Sequence, residues 1–466
     1  RARPPTGRHA QAQSHTYDWT DGMTYRLITL AVLGGCMALS GCANLFKPAK
    51  LPPAPAMPEM QMSGAADTGV DADWWALFND PELNRLMAQM EQGNLNVQLM
   101  AAKVRQAQAA LASAQSSFLP SVSVGAAATR AKSAGGSAAS AVSVTTPVSW
   151  ELDVWGRLDA LATAAKAGLK ASREDLALAR LSAQASLVQT YVAIRNAEQQ
   201  QRVLTQAQTA YERALQLTKY RYDAGVVSAA DVAQAQLQLS TTQAQLINVN
   251  SSRLQLLNAL AVLLGQAPGG LQLATTEALP QVPVLPEVVA SNLLQRRPDV
   301  RAAQQRVFSA QANAGAAQAA FFPTFSFAAT SGYSSQNLSS LFSASNLLWS
   351  MGPSMALKVF DGGQRKAVEA DALAALDAAG IAYKQSVLQG LQEVQDNLVA
   401  AYQLQLEQQA QTQAVVAARR NLAINEAQYA AGTVSYLNVV TAQTAALSAE
   451  RSLLDIQSRR VLAVTQ

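Results

Sequence analysis

No proline lies between Pro147 and Pro268, and none follows Pro353. Within these stretches a helical pattern runs from about 157 to 219 and from about 365 to 428. At 1.5 Å per residue, sixty-odd residues make roughly 95 Å of helix, whereas a globular helix averages about 12 residues. A helix this long is a coiled-coil element or a strut, and few folds accommodate two of them. Gly156-Arg157 and Asp361-Gly362-Gly363 open the two runs. Tyr222-Asp223-Ala224-Gly225 and Tyr429-Ala430-Ala431-Gly432 close them, with glycine at the left-handed position of a helix C-cap. A returning helix follows each turn, about 229–265 and 436–466.

The two runs belong to a tandem duplication. An offset of 207 aligns Tyr222 with Tyr429, Gly225 with Gly432, Ser228 with Ser435, Gln236 with Gln443 and Arg253 with Arg460. An offset of 203 aligns residues 107–122 with 310–325, including Pro120 with Pro323. The repeats are expected at 74–270 and 287–466, joined by a connector at 271–286, with a small indel between the matched blocks. By the 207 offset Gln466 matches Ala259, so the second repeat is expected to stop inside its last helix.

Each repeat opens with a helical stretch, about 82–117 and 287–319, followed by two segments of period-two alternation. Val142, Val144, Thr146, Val148, Trp150 and Leu152 fall on one face of a strand at 142–152. Its hairpin partner is expected at 121–130, across a Gly/Ser/Ala-rich loop at 131–140. In the second repeat the alternation covers 325–329 and about 353–359, across a Ser- and Asn-rich loop at 334–350. An open four-stranded sheet leaves unpaired edges that lipid cannot satisfy, and single-chain barrels need at least eight strands. Three copies would supply twelve.

Residue chemistry narrows the function. Only 14% of residues are charged and the net charge of +4 is too small to argue for nucleic acid. The only histidines are His9 and His15, and the only cysteines are Cys36 and Cys42. The histidines precede an apolar run, Leu27–Leu39, that reads as a signal peptide starting at Met23, while Cys36 lies inside the run and Cys42 three residues past it. Residues 1–22 then read as an upstream extension. The run ends Leu39-Ser40-Gly41-Cys42, which resembles a bacterial lipobox, with Cys42 lipidated and residues 42–73 a proline-rich spacer. Ala43, not aspartate, follows Cys42, and by the same resemblance this implies sorting to the outer membrane. A mature chain without histidine, and with one lipidated cysteine, has no histidine base, zinc site or disulfide framework. No cofactor is expected beyond the lipid, and no enzymatic activity. A periplasmic adaptor or a lipid-anchored coiled-coil scaffold stays open as an alternative. An adaptor would have one hairpin between β-rich modules, and a scaffold leaves the alternating strands unexplained.

Several short motifs in order carry a family resemblance over about residues 70–466. They are Asp73-Trp74-Trp75, Phe78, Asp80-Pro81 and Leu83; Asn94-Leu95-Asn96-Val97; Trp150-Glu151-Leu152-Asp153 with Trp155-Gly156-Arg157; Arg296-Arg297-Pro298-Asp299-Val300; and Phe360-Asp361-Gly362-Gly363. Together with the duplication and the lipobox, they make the chain similar to the NodT-type lipoprotein branch of the TolC-like outer-membrane factors. The resemblance implies a mainly α fold with a small β part, a trimeric α-barrel tunnel and a shared 12-stranded transmembrane β-barrel. It also implies a passive efflux duct that works with a periplasmic adaptor and an inner-membrane pump. The closing tip is implied at the turns of Gly225 and Gly432. Asp231 falls where the family has a latch acid and Tyr429 where it has the tyrosine partner. The pore-ring positions hold Asn438 and Thr441, and the latch-arginine position holds Val434. These departures lead to a polar or hydrophobic gate in place of an acidic one. The plainer readings are a helix-dipole charge for Asp231 and hairpin packing for Tyr429 and Tyr222. Trp150, Trp155 and Trp349 read equally as an interfacial girdle or as packing.

Overall fold

The computed structural model describes residues 73–132, 134–274, 279–280 and 296–465. The readings made for 1–72, including the signal peptide and Cys42, lie outside the described residues, as do those for most of the connector and for Gln466.

A short 3-10 turn, Trp74–Phe78, leads into α1 (Pro81–Gly93) and α2 (Leu95–Ser116). The helical stretch expected over 82–117 is two helices, because Asn94 leaves the helix. Its Oδ1 accepts from the amides of Asn96 and Val97 at 3.0 and 3.1 Å, capping α2. Its Nδ2 donates to the carbonyl of Leu263 at 2.8 Å. The break therefore fixes the start of the chain to the end of the first repeat.

Five strand segments form one antiparallel sheet: β1 (Ser121–Val122), β2 (Gly125–Lys132), β3 (Ala138–Leu152), β4 (Thr324–Ser335) and β5 (Leu347–Ala356). β1 and β2 are one strand in register, interrupted where Ser123 faces Pro147. Proline has no N–H to give, so only the bond from the Ser123 amide to the Pro147 carbonyl (3.1 Å) spans the gap. The order is β1/β2–β3–β4–β5, so β3 against β4 joins the two repeats. Two strand readings shift. β4 runs on to Ser335, and β5 starts at Leu347 and ends at Ala356, which puts Leu357 and Val359 beyond it. Residues 347–350, expected in the Ser- and Asn-rich loop, belong to β5, where Leu347 and Trp349 alternate as a strand does. The β4–β5 loop folds on itself through serine and asparagine bonds and buries Leu341, with Phe342 edge-on to Tyr333.

The helical body is α3 (Arg157–Asp223), α4 (Ala229–Leu263), α5 (Pro298–Ala319), α6 (Gln364–Ala430) and α7 (Tyr436–Thr465). α3 and α6 each have 67 residues, or about 100 Å of helix. Both ends of α2 and α5 are 203 positions apart, and both ends of α3 and α6 are 207 apart. Small residues line the α3 seam, where Ala164, Ala167, Ala171, Ala179 and Ala183 are buried, so helices approach without large side chains between them.

An ion pair, at different positions in the two repeats, braces each turn from sheet to long helix. Arg157 grips Glu151 through both carboxylate oxygens at 2.8 Å, and Arg365 holds Asp361 at 2.5 Å. Trp155 is packing, stacked on Phe322 at 4.8 Å with its Nε1 donating to the Pro323 carbonyl. Trp150 donates to the Phe118 carbonyl, whereas Trp349 is 69% exposed.

The main apolar core lies where the N-terminal segment covers the middle of α3. Trp75, Phe78, Leu83, Leu86, Met87 and Met90 pack on Leu187, Val188, Tyr191 and Ile194. A buried polar network runs beneath them. Arg195, with no exposed surface, donates to Glu198 Oε2 at 2.8 Å, to the Ala274 carbonyl and to the Tyr191 hydroxyl. Arg253 donates to the other oxygen of Glu198 at 2.8 Å, and Tyr191 donates to Asp80 Oδ2 at 2.6 Å. The positions 207 further on are Leu398, Tyr402, Gln405 and Arg460, so the second repeat lacks the network. Tyr402 is exposed there.

Candidate functional site

The two hairpin turns close in the same way. At the first, the Gly225 amide donates to the Tyr222 carbonyl and the Val226 amide to the Arg221 carbonyl, both at 2.8 Å. At the second, Gly432 donates to Tyr429 and Thr433 to Gln428, both at 3.0 Å. These paired bonds are the Schellman arrangement, which needs a left-handed residue after the helix. Gly225 (φ 71) and Gly432 (φ 78) supply it. Ser228 then starts α4 with a reciprocal cap. The Asp231 amide donates to Ser228 Oγ at 3.3 Å, while Asp231 Oδ2 accepts from Ser228 N and Oγ at 2.9 and 2.8 Å.

Behind the turns, one apolar cluster ties the hairpins together. Tyr211, Leu215, Ala235 and Leu239 come from the first, and Tyr429, Tyr436, Val439 and Val440 from the second. Val434 packs against it, so the position where the resemblance leads to an arginine is part of an apolar core. Tyr429 and Tyr436 meet with ring centres 5.3 Å apart. Burial, reinforced by the neighbouring phenols, pushes the Tyr436 hydroxyl up to about 12, and burial raises that of Tyr211. Both are therefore neutral near pH 7.

Within one chain, Asp231 and Tyr429 are not bonded to each other. The Asp231 carboxylate is committed to its own turn, and the buried Tyr429 hydroxyl has no hydrogen-bond partner among the described residues. Asn438 and Thr441 are both exposed on α7, Thr441 bonding back to the Leu437 carbonyl. Tyr222 is exposed and does not share the packing of Tyr429.

The contact that sequence reasoning missed comes from Arg221. Its Nη1 donates to the Tyr429 carbonyl at 3.1 Å and its Nη2 to the Ala430 carbonyl at 3.3 Å, while its guanidinium lies 4.7 Å from the centre of the Tyr429 ring. The available signal was a break in the repeat, because the residue 207 positions on is Gln428.

Nothing in this arrangement pairs a nucleophile with a base. Among the described residues no group of three or more His, Cys, Asp or Glu could hold a metal, and no helix is long and apolar enough to cross a membrane.

The family model of outer membrane efflux proteins matches residues 86–266 and 289–466. The probable efflux pump outer membrane protein SepC of Pseudomonas putida is 29% identical over 439 residues, covering 90% of this chain and 91% of that one. The probable outer membrane lipoprotein SilC of Salmonella typhimurium is 26% identical over 432 residues, covering 91% and 93%. Among solved structures, the outer-membrane channel OprN superposes with a TM-score of 0.80 at 28% identity, over 84% of this chain and 90% of that one.

Proposed function

The chain belongs to the outer membrane efflux protein family, and from that premise we propose that three copies close one passive duct through the outer membrane and across the periplasm. As an outer-membrane component of an efflux system, it has a place in a family of channels. The observation that carries the trimer is the open sheet. Its outer strands, β1/β2 and β5, each have one unpaired edge, and Val122, Val124, Leu347, Trp349, Met351 and Met355 stand exposed on them. Edges of this kind are not tolerated in lipid. Three sheets joined edge to edge give twelve strands and no edge. The exposed apolar residues of α6, Ile381, Leu388, Val399 and Tyr402 among them, favour the same association along the tunnel. Each chain would contribute two copies of one unit, 74–270 and 287–466, to the tube.

The partners in this reading are a periplasmic adaptor and an inner-membrane pump that delivers small solutes. The gate is the pair of hairpin tips. Asp231 and Tyr429 act there across the hairpins once the trimer forms, with Asn438 and Thr441 presenting an uncharged opening. The deciding experiment is the mass of the full-length protein extracted from outer membranes in mild detergent, followed by conductance in planar bilayers. A trimer that forms pores is expected, and a monomer would leave the sheet unable to close. In the same bilayers Asp231→Ala or Tyr429→Ala is expected to raise conductance, and parental conductance from both would remove the latch.

Cys42 is proposed as the lipid anchor. The lipobox supports it, and the relative SilC is named a lipoprotein. Cys42→Ser is expected to abolish labelling by radioactive palmitate while the trimer still assembles. Label retained on the serine variant would refute the assignment.

A further inference from the structure

We propose that Arg221 is the positioning residue that ties the first hairpin tip to the end of α6 and so sets how far the mouth of the duct opens, an inference that rests on the duct reading above. A helix end leaves its last carbonyls without intrahelical partners and carries a partial negative charge. The Ala430 carbonyl is one of these, and the Tyr429 carbonyl already accepts from Gly432. Arg221 reaches across from the other hairpin and donates to both. Its planar face also covers the Tyr429 ring at 4.7 Å, a cation–π contact.

Among the described residues Arg221 makes no ion pair, so its charge is directed at this helix end and this ring. The first repeat supplies the arginine and the second only Gln428, which makes the clasp one-directional. The apolar cluster below the turns resists separation of the hairpins without direction, whereas the fork of Arg221 fixes one register between them. Lysine could keep the charge, but it could neither bond both carbonyls in one plane nor stack on the ring. The clasp uses the Tyr429 carbonyl and ring and not its hydroxyl, which has no hydrogen-bond partner among the described residues of one chain.

The test uses the full-length protein in two measurements. Hydrogen exchange of the amides of 427–433 should quicken roughly tenfold in Arg221→Gln, as local opening at a lost clasp allows, while amides in the middle of α3 stay as in the parent. Conductance in planar bilayers should rise for Arg221→Gln and fall between that and the parent for Arg221→Lys. Leu215→Ser with Val440→Ser, which loosens the apolar cluster, serves as an open control. Parental exchange and conductance in Arg221→Gln, beside a conducting control, would overturn the clasp and leave the duct reading standing. Exchange that quickens along the whole of α3 would also overturn it, as general destabilisation. If no variant conducts, the control included, the duct reading falls and the role of Arg221 at its mouth falls with it.

Discussion

Glu198→Gln is expected to cost about 3–5 kcal/mol, the penalty for leaving a buried charge without its partner. The carboxylate is 5% exposed and is shared by two guanidiniums, Arg195 on one oxygen and Arg253 on the other. Without its charge, two like charges face each other across a neutral amide. Arg195 cannot escape by losing its proton. A guanidinium stays protonated in proteins even when buried, so the charge remains after the carboxylate is gone. The damage should spread to the N-terminal segment, because Tyr191 links Arg195 to Asp80, which caps α1 through the amides of Glu82 and Leu83. Limited proteolysis of the full-length protein should then release residues before about 95, together with a lower melting temperature. Arg195→Met combined with Glu198→Leu should lose less, since only Arg253 is left and it is 18% exposed. A glutamine variant that melts like the parent and resists protease would show the network to be dispensable.

In the proposed trimer, Gly332→Ala should prevent the three sheets from closing into one barrel. A methyl group at Gly332 would sit 2.2 Å from the Val144 carbonyl oxygen and 2.7 Å from the Thr145 Cα. Both are backbone atoms, so no side-chain rotation relieves the clash and β3 must shift against β4. Overpacking of this kind costs about 1–3 kcal/mol per site. In a trimer the site occurs three times in one closed sheet, so the total is about 3–9 kcal/mol. The seam is also the only pairing that joins the repeats in the described sheet. The expected result is loss of heat-resistant trimer from outer-membrane extracts, with the helical signal in circular dichroism retained. Normal trimer yield would mean that the seam can slide to accommodate the methyl group.

How far each feature could be read from sequence depended on whether its cause was local. The start of α3 at Arg157 and the turn at Gly225 follow from proline-free helical pattern and a glycine C-cap, so both were legible. So was the family, through motifs spread in order along the chain. The break at Asn94 was less visible, since one asparagine in a helical stretch is a weak signal until Leu263 arrives to accept its side chain. Arg195 and Glu198, three apart on a helix, carry no local signal that marks them as buried. What buries them is Trp75 through Met90, about a hundred residues earlier in the chain. Arg221 escaped for a different reason. Comparing the repeats favours positions that match, and Arg221 matters because Gln428 does not match it. Asp231 was found by position, yet within one chain its carboxylate turns to Ser228, which no alignment of repeats could reveal.

The equal lengths of α3 and α6 carry a further meaning. From Arg157 to the second-repeat equivalents of Asp223, the offset never departs from 207, and from Leu95 to Val122 it is 203. The four-residue difference therefore falls entirely between Val122 and Gly156 in the first copy and between Phe325 and Gly363 in the second. Since the copies diverged, length has been free to change where strands meet a solvent loop and has stayed fixed along the struts. In the proposed trimer, side-by-side struts rooted in a common ring would have to end level with one another, whereas the loops at the far rim would have nothing to stay level with.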